Sequence, residues 1–232
     1  MKEKLIVLGN TGFIGKSICL SSTFKKKYKI YGYNSKNLDL NFYKKIKINF
    51  LKNIENSILI FTGGKHRIYG DTKKLQKYNE KIFNNLLKVL IKKKPKKVIF
   101  LSTIEVYGKP KKGEKIYEKS KLRPIYNYAK GKINIEKKLI YQAKKYKFNY
   151  LILRLPGIFG KNDKNISIVS KLYNSFYKEK FYLNGDGTQK RNYLYINDLV
   201  KVLFKLSINS TTNKIINIVS NKSYSINQII NF

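Results

Sequence analysis

The stretch LIVLGNTGFIG, residues 5–15, constrains this chain more than any other. Leu5 to Leu8 form an unbroken apolar run that reads as a short buried strand, and FIGKSICLSSTF (13–24) continues with helical spacing. Between them Gly9, Gly12 and Gly15 make a GxxGxxG turn. A strand that turns through glycines into a helix brings bare backbone close to unpaired amide groups, the arrangement that receives a pyrophosphate. Phe13 and Ile14, opening the helix, belong to that candidate site. A merely structural turn is the plain alternative, and the commonest dinucleotide spacing is GxGxxG rather than GxxGxxG. The position directly after the first strand favours the cofactor reading.

Further strands are expected at 28–33, 57–61, 97–102 and 150–155, with helices at about 41–52, 72–92 and 124–147, bounded by breakers such as Pro95 and Pro124. Strands alternating with helices predict an α/β fold, a Rossmann-like doubly wound parallel sheet. After Leu155 the pattern changes: Gly157, Gly160, Gly185 and Gly187 punctuate shorter pieces, and YLYI (193–196) runs into a helical stretch. Residues 1–155 therefore read as a dinucleotide-binding domain. Residues 156–232 read as part of a small substrate-binding lobe interleaved with the end of the sheet.

The second strand of such a domain ordinarily ends in an acid that holds the adenosine ribose. Here Asn34 stands in that place with Lys36 just beyond. A neutral residue followed by a cation leaves NADP admissible beside NAD. Asp39, with Leu40 next to it, either caps a helix or lines the adenine pocket.

With 232 residues and 42% hydrophobic content, the chain can bury a full core. A net charge of +37 would ordinarily raise nucleic acid as a partner. The lysines, however, are spread over the whole chain, while arginine occurs only at 67, 123, 154 and 191. That spread reads as compositional bias rather than a concentrated patch, and it argues against nucleic acid as the main partner. Cys19 stands alone, which excludes an intrachain disulfide and fits a reducing compartment. The first apolar run is too short for a signal-peptide core or a membrane span, so a cytoplasmic location is expected. His66, the sole histidine, reads as a loop residue, and no cluster suggests a metal.

RPIYNYAKGK, 123–132, holds two overlapping copies of one spacing, Tyr126 with Lys130 and Tyr128 with Lys132. Residues four apart share a helix face, so either pair can set an ammonium beside a phenol. Tyr43/Lys47, Tyr69/Lys73, Tyr107/Lys111, Tyr117/Lys121 and Tyr141/Lys145 repeat the spacing, which therefore decides nothing by itself.

Five segments in order resemble the extended short-chain dehydrogenase/reductase family, in particular its NAD-dependent nucleotide-sugar epimerase and dehydratase branch: GNTGFIG (9–15), NEKIFNNLL (79–87), LSTIEVYG (101–108), PIYNYAK (124–130) and GDGTQKRNYLYINDL (185–199). In that family the catalytic tyrosine follows shortly after a proline at the start of a long helix. The resemblance thus implies Tyr126, two residues after Pro124, with Lys130 as its partner, both also touching the cofactor. Tyr128 and Lys132, about 200° away around the helix, are expected to face elsewhere. An ammonium about 4 Å from a phenol contributes about 4 kcal/mol at an effective dielectric of about 20. That is enough to lower a tyrosine pKa near 10 by about three units.

The resemblance further implies that Thr103 shares the hydrogen bond to the sugar hydroxyl, an ordinary strand-end threonine being the alternative. Ser102 and Gly63 border the cofactor, the latter in FTGG (61–64), and Asn79 steadies the active-site backbone or water. Glu105, Gly157 and Arg191 meet the substrate, Arg191 on the diphosphate, where guanidinium geometry suits phosphate oxygens. Many epimerases carry an asparagine where Gly157 stands. Relatives that eliminate water carry an Asp-Glu pair after the threonine, because elimination needs an acid and a base. This chain has Ile104 and Glu105, and an isoleucine donates no proton. What remains is a nucleotide-sugar 4-epimerase working by transient C4 oxidation and re-reduction, or an NAD(P)H-dependent 4-keto nucleotide-sugar reductase. A catalytically silent relative that binds RNA or another polyanion is the third reading. Similar chains run on past NKSYSINQIINF, so a shortened substrate lobe is expected, along with a homodimer built on the helices 72–92 and 124–147.

Overall fold

Five apolar runs and one short later segment become the six parallel strands of a single sheet. The computed structural model describes residues 2–46, 48–111, 113–163, 168–175 and 185–231. The strands are β1 (Glu3–Leu8), β2 (Tyr28–Tyr33), β3 (Ile58–Phe61), β4 (Lys97–Thr103), β5 (Asn149–Leu155) and β8 (Lys214–Asn217), ordered β2-β1-β3-β4-β5-β8. Every residue of β3 and β4 is buried, as expected of strands covered on both faces, whose sequences are apolar runs rather than alternations.

One face is covered by α3 (Ile48–Ile54), α4 (Lys73–Lys92) and α5 (Asn127–Tyr146). There Phe83 of α4 packs on Phe61 and Phe100 with ring centres 5.1 and 5.0 Å away. The other face is covered by α1 (Phe13–Leu20), α2 (Ser22–Lys27) and α7 (Ile196–Ile208), which bury Ile18, Phe24, Leu199 and Leu203 against Leu5, Val7, Ile60 and Leu153. Helices on both faces make the sheet doubly wound. The chain reverses its direction of travel between β1 and β3, which opens a crevice at the carboxyl edge.

Two expected helices differ from what forms. The stretch 13–24 is two helices, because Ser21 adopts extended backbone (φ −61°, ψ 123°), which turns Phe24 into the core beside Tyr28 and Phe204. The stretch 41–52 begins as a single 3-10 turn at Tyr43–Lys45, and only α3 is a full helix.

Beyond Leu155 lie β6 (Gly157–Phe159), α6 (Ile168–Ser175), β7 (Lys190–Tyr195), β9 (Ser223–Ser225) and α8 (Ile226–Ile230). β7 pairs parallel with β6 and antiparallel with β9. β8 returns to the main sheet beside β5. Among the described residues no helix is long and apolar enough to cross a membrane.

Candidate active site

The glycine turn leaves no room for side chains. Gly9 has φ +92° and donates its N–H to the Tyr33 carbonyl at 2.7 Å. A Cβ at Gly15 would stand 2.2 Å from the Gly9 oxygen, and one at Gly9 would stand 2.7 Å from Thr62 Oγ1. Thr62 secures the approach by donating to the Leu8 carbonyl at 2.8 Å. Gly12, the cap residue of α1, offers no side chain to the first turn, so the amide groups of Phe13, Ile14 and Gly15 receive no side-chain cap. Glycines packed this closely against a helix N-terminus without a cap fit the pyrophosphate of a dinucleotide.

At the end of β2, Asn34 Nδ2 donates to Asn10 Oδ1 at 3.3 Å, and its Oδ1 accepts the Lys36 N–H at 2.9 Å. Asp39 closes its own turn, its Oδ1 accepting from the backbone and side chain of Asn41 at 2.9 and 3.0 Å. The Leu40 side chain lies in the core, and its carbonyl accepts from Asn85 Nδ2 at 2.8 Å. Leu40 therefore offers a ligand its backbone rather than its side chain.

After β3, the backbone of Gly63 and Gly64 passes under Asn79. The buried Asn79 amide accepts the Lys65 N–H at 2.8 Å and donates to the Lys65 carbonyl at 2.9 Å. Asn79 thus holds the loop in place with both ends of its amide, which is the backbone-steadying half of what was expected of it.

Ser102, expected at the cofactor, turns its hydroxyl instead to the Glu136 carboxylate of α5. Arg154 of β5 binds the same carboxylate through Nη2 at 2.7 Å and Nε at 3.2 Å, with both side chains almost wholly buried. Its Nη1 donates to the Tyr107 hydroxyl at 2.7 Å and the Glu118 carbonyl at 3.1 Å. Tyr107 passes the chain to Asn217 Oδ1 at 2.8 Å, and the Asn217 N–H donates to Glu118 Oε1 at 2.8 Å. The Ser102 side chain therefore belongs to this buried knot. Thr103, the next residue, ends β4 at the carboxyl edge, and its Oγ1 accepts the Glu105 N–H at 3.2 Å.

The two overlapping tyrosine–lysine pairs face opposite ways from what was expected. Lys130 is exposed on the outer face of α5, and Tyr126 stands at the helix cap with the Arg67 guanidinium 4.4 Å from its ring centre. Lys132 faces inward. Its ammonium donates to the Leu101 carbonyl of β4 at 2.7 Å, lies 4.7 Å from the Phe100 ring centre and 5.5 Å from that of Tyr128. Burial pushes the Lys132 ammonium down to about 8, against the pull of Glu136 one turn along. Burial also raises the Tyr128 phenol above its ordinary value, with the Glu105 carboxylate adding to the rise and Arg67 opposing it. The structure thus brings Tyr128 and Lys132 together at the carboxyl edge, and the phenol is raised rather than lowered.

Three neighbours of Tyr128 escaped sequence reasoning. Arg67 donates from Nε to Glu105 Oε1 at 2.9 Å, leaving Glu105 Oε2 buried without a hydrogen-bond partner. The His66 ring lies 5.2 Å from that of Tyr128, tilted by 59°, and burial, with Arg67 and Lys132 nearby, holds its pKa down to about 4. Asp71 accepts the N–H groups of Asn127 and Tyr128 at 3.0 and 2.9 Å and so anchors the start of α5. The scarcity of arginine was the one available signal for Arg67.

At the far side of the crevice, Gly157 starts β6 two residues after Leu155, whose register partner is Thr103. A Cβ there would stand 3.0 Å from the Tyr193 ring. Arg191, exposed on β7, lies on the same strand face as Tyr193.

A model of the NAD dependent epimerase/dehydratase family matches residues 5–218. The dTDP-D-glucose 4,6-dehydratase of Dictyostelium discoideum is 28% identical over 85% of this chain, which spans 54% of that relative's length. A UDP-glucose epimerase of Bacillus subtilis, itself uncharacterized, is 25% identical over 85% of this chain and 70% of its own. Among solved structures, UDP-glucose 4-epimerase from Thermotoga maritima with UDP-glucose superposes with a TM-score of 0.85 at 21% identity, covering 98% of this chain and 80% of that one. The Thermus thermophilus UDP-glucose 4-epimerase complex with NAD gives a TM-score of 0.86 at 18% identity, covering 98% and 81%.

Proposed function

The chain belongs to the NAD dependent epimerase/dehydratase family, and from that premise we propose that it is a nucleotide-sugar 4-epimerase with Tyr128 and Lys132 as its catalytic pair. One observation carries this reading: the Lys132 ammonium, fixed at 2.7 Å on the Leu101 carbonyl, shares a helix face with Tyr128 at the edge where the glycine turn opens. Bound NAD supplies a reversible two-electron oxidation of the sugar carbon and, in its oxidised form, a positive charge in the crevice.

The protein's own groups handle the protons. The neighbouring ammonium of Lys132 stabilises Tyr128 as the phenolate, which takes the proton of the sugar hydroxyl, stays a neutral phenol while the carbon is oxidised, and returns the proton after the carbon is reduced again. Thr103 shares the hydrogen bond to the same hydroxyl. Glu105 Oε2, buried and without a partner, accepts a second sugar O–H, and the Arg67 contact keeps that oxygen aimed. Loss of water from the sugar would need a proton donor for the departing hydroxyl, and Ile104 supplies none. Residues 156–232 serve as the substrate lobe, with Arg191 on the diphosphate.

The test is incubation of the purified chain with UDP-, GDP- and dTDP-sugars, with and without added cofactor, following sugar configuration and nicotinamide absorbance together. Interconversion of epimers without net cofactor use is the expected result. Stoichiometric consumption of reduced cofactor would replace the epimerase by a 4-keto reductase. Failure to retain NAD, together with tight RNA binding at physiological salt, would overturn both.

A further inference from the structure

We infer that the Tyr193 hydroxyl, beside Arg191 on one face of β7, is a binding group for the diphosphate of the nucleotide sugar. The inference rests on the nucleotide-sugar reading above and adds a residue that neither composition nor motif singled out.

Three observations converge on Tyr193. Its hydroxyl is buried and has no hydrogen-bond partner. A phenol in that position loses its hydration and gains nothing in return, so such a group calls for an explanation. Its ring is fixed: Gly157 gives it space that even one methyl group would take, with a Cβ only 3.0 Å from ring carbon Cδ1, and Phe159 meets it edge-on at 6.5 Å and 88°. Its location is next to the chemistry, because Gly157 follows by two residues the strand position paired with Thr103.

The neighbouring charge selects the ligand. Arg191, two residues earlier on the same strand face, is exposed and forms no ion pair among the described residues. Burial keeps the phenol above its ordinary pKa, so it remains a donor at neutral pH. A guanidinium and a fixed neutral O–H donor side by side match an anionic phosphoryl oxygen, which takes a short charge-assisted bond from each.

The full chain and its Tyr193→Phe and Gly157→Ala variants should be titrated with UDP and with dTDP by calorimetry, with NAD retention as the control. Tyr193→Phe is expected to weaken nucleotide binding by about tenfold, to leave NAD retention unchanged, and to melt without ligand at the same temperature as the parent or higher. Gly157→Ala, which pushes the ring aside, should weaken binding as well. Parental affinity in Tyr193→Phe would overturn the inference while leaving the nucleotide-sugar reading intact. If the parent itself binds neither nucleotide, the nucleotide-sugar reading falls and this inference with it.

Discussion

The ammonium of Lys132 lies 5.5 Å from the ring centre of Tyr128, one helical turn away, while its hydrogen bond goes to the backbone of the central strand β4. The contact ties a helix to the sheet at the point where the dinucleotide crevice opens. It also separates two lysines only two residues apart into an exposed one and a buried one.

Lys132→Met and Tyr128→Phe should each lower kcat by about 10²- to 10⁴-fold, the range for removing a general acid–base group. Lys130→Met should stay close to the parent. Steady-state kinetics on whichever sugar nucleotide is turned over decides the matter, and equal losses at Lys130 and Lys132 would reject the assignment.

Lys132 should also leave a mark on stability. Its folded pKa is near 8, whereas an unfolded lysine titrates near 10.4. Between these values the unfolded chain holds a proton that the folded chain has released, so unfolding free energy rises with pH across that window. The full effect is about 3 kcal/mol, from about 1.4 kcal/mol per unit. Urea denaturation of the parent and of Lys132→Met from pH 7.5 to 10.5 isolates it, and parallel curves would contradict the prediction.

Arg154 and Glu136 should behave as a unit. Removing one partner of a wholly buried pair leaves the other charge unpaired at a cost of about 3–5 kcal/mol. Arg154→Met should therefore lower stability by that order. The double variant with Glu136→Gln should lose less than the two single losses added together, as a double-mutant cycle in denaturant measures.

The glycine turn separates folding from binding. A Cβ at Gly15 would meet the Gly9 oxygen at 2.2 Å, whereas one at Gly12, which has φ −73°, would stand 3.3 Å from it. Gly15→Ala is expected to disrupt the fold, seen as loss of a cooperative melt. Gly12→Ala should melt within a few degrees of the parent yet bind NAD at least about tenfold more weakly, because its methyl group intrudes where the pyrophosphate approaches.

The first five strands, the turn between strand and helix, and the long helices α4 and α5 were legible because each is a run with one clear pattern. β6, β8 and β9 were not. Each has only three or four residues, too few for a period to show, and pairing across the fold decides their state. Ser21 broke an apparently continuous helix by taking extended backbone between the two segments, with no side-chain cap hydrogen bond to announce it.

The pair proposed as catalytic was legible in a different signal from the one that the motif offers. Distance from Pro124 pointed to Tyr126, but the phase of α5 carries the better signal. Stepping by three and four from Lys132 gives Ile135, Glu136, Leu139 and Ala143, all buried, whereas Lys130 leads to Asn134, Lys137, Lys138 and Tyr141, all exposed, with Ile133 the buried exception. The pair proposed as catalytic, Tyr128 and Lys132, lies on the side of α5 that meets the sheet.

Asn217, on the last strand of the main sheet, accepts from Tyr107 and donates to Glu118, closing the circle of groups around Arg154. A polypeptide cut before that residue would keep every glycine of the turn and both members of the Tyr128–Lys132 pair. It would nonetheless strip a partner each from Tyr107 and Glu118, the two groups that flank the guanidinium bracing the helix that carries them. The smallest fragment worth expressing for cofactor-binding work therefore runs at least through Ile218, whose N–H still reaches the Arg154 carbonyl at 3.0 Å.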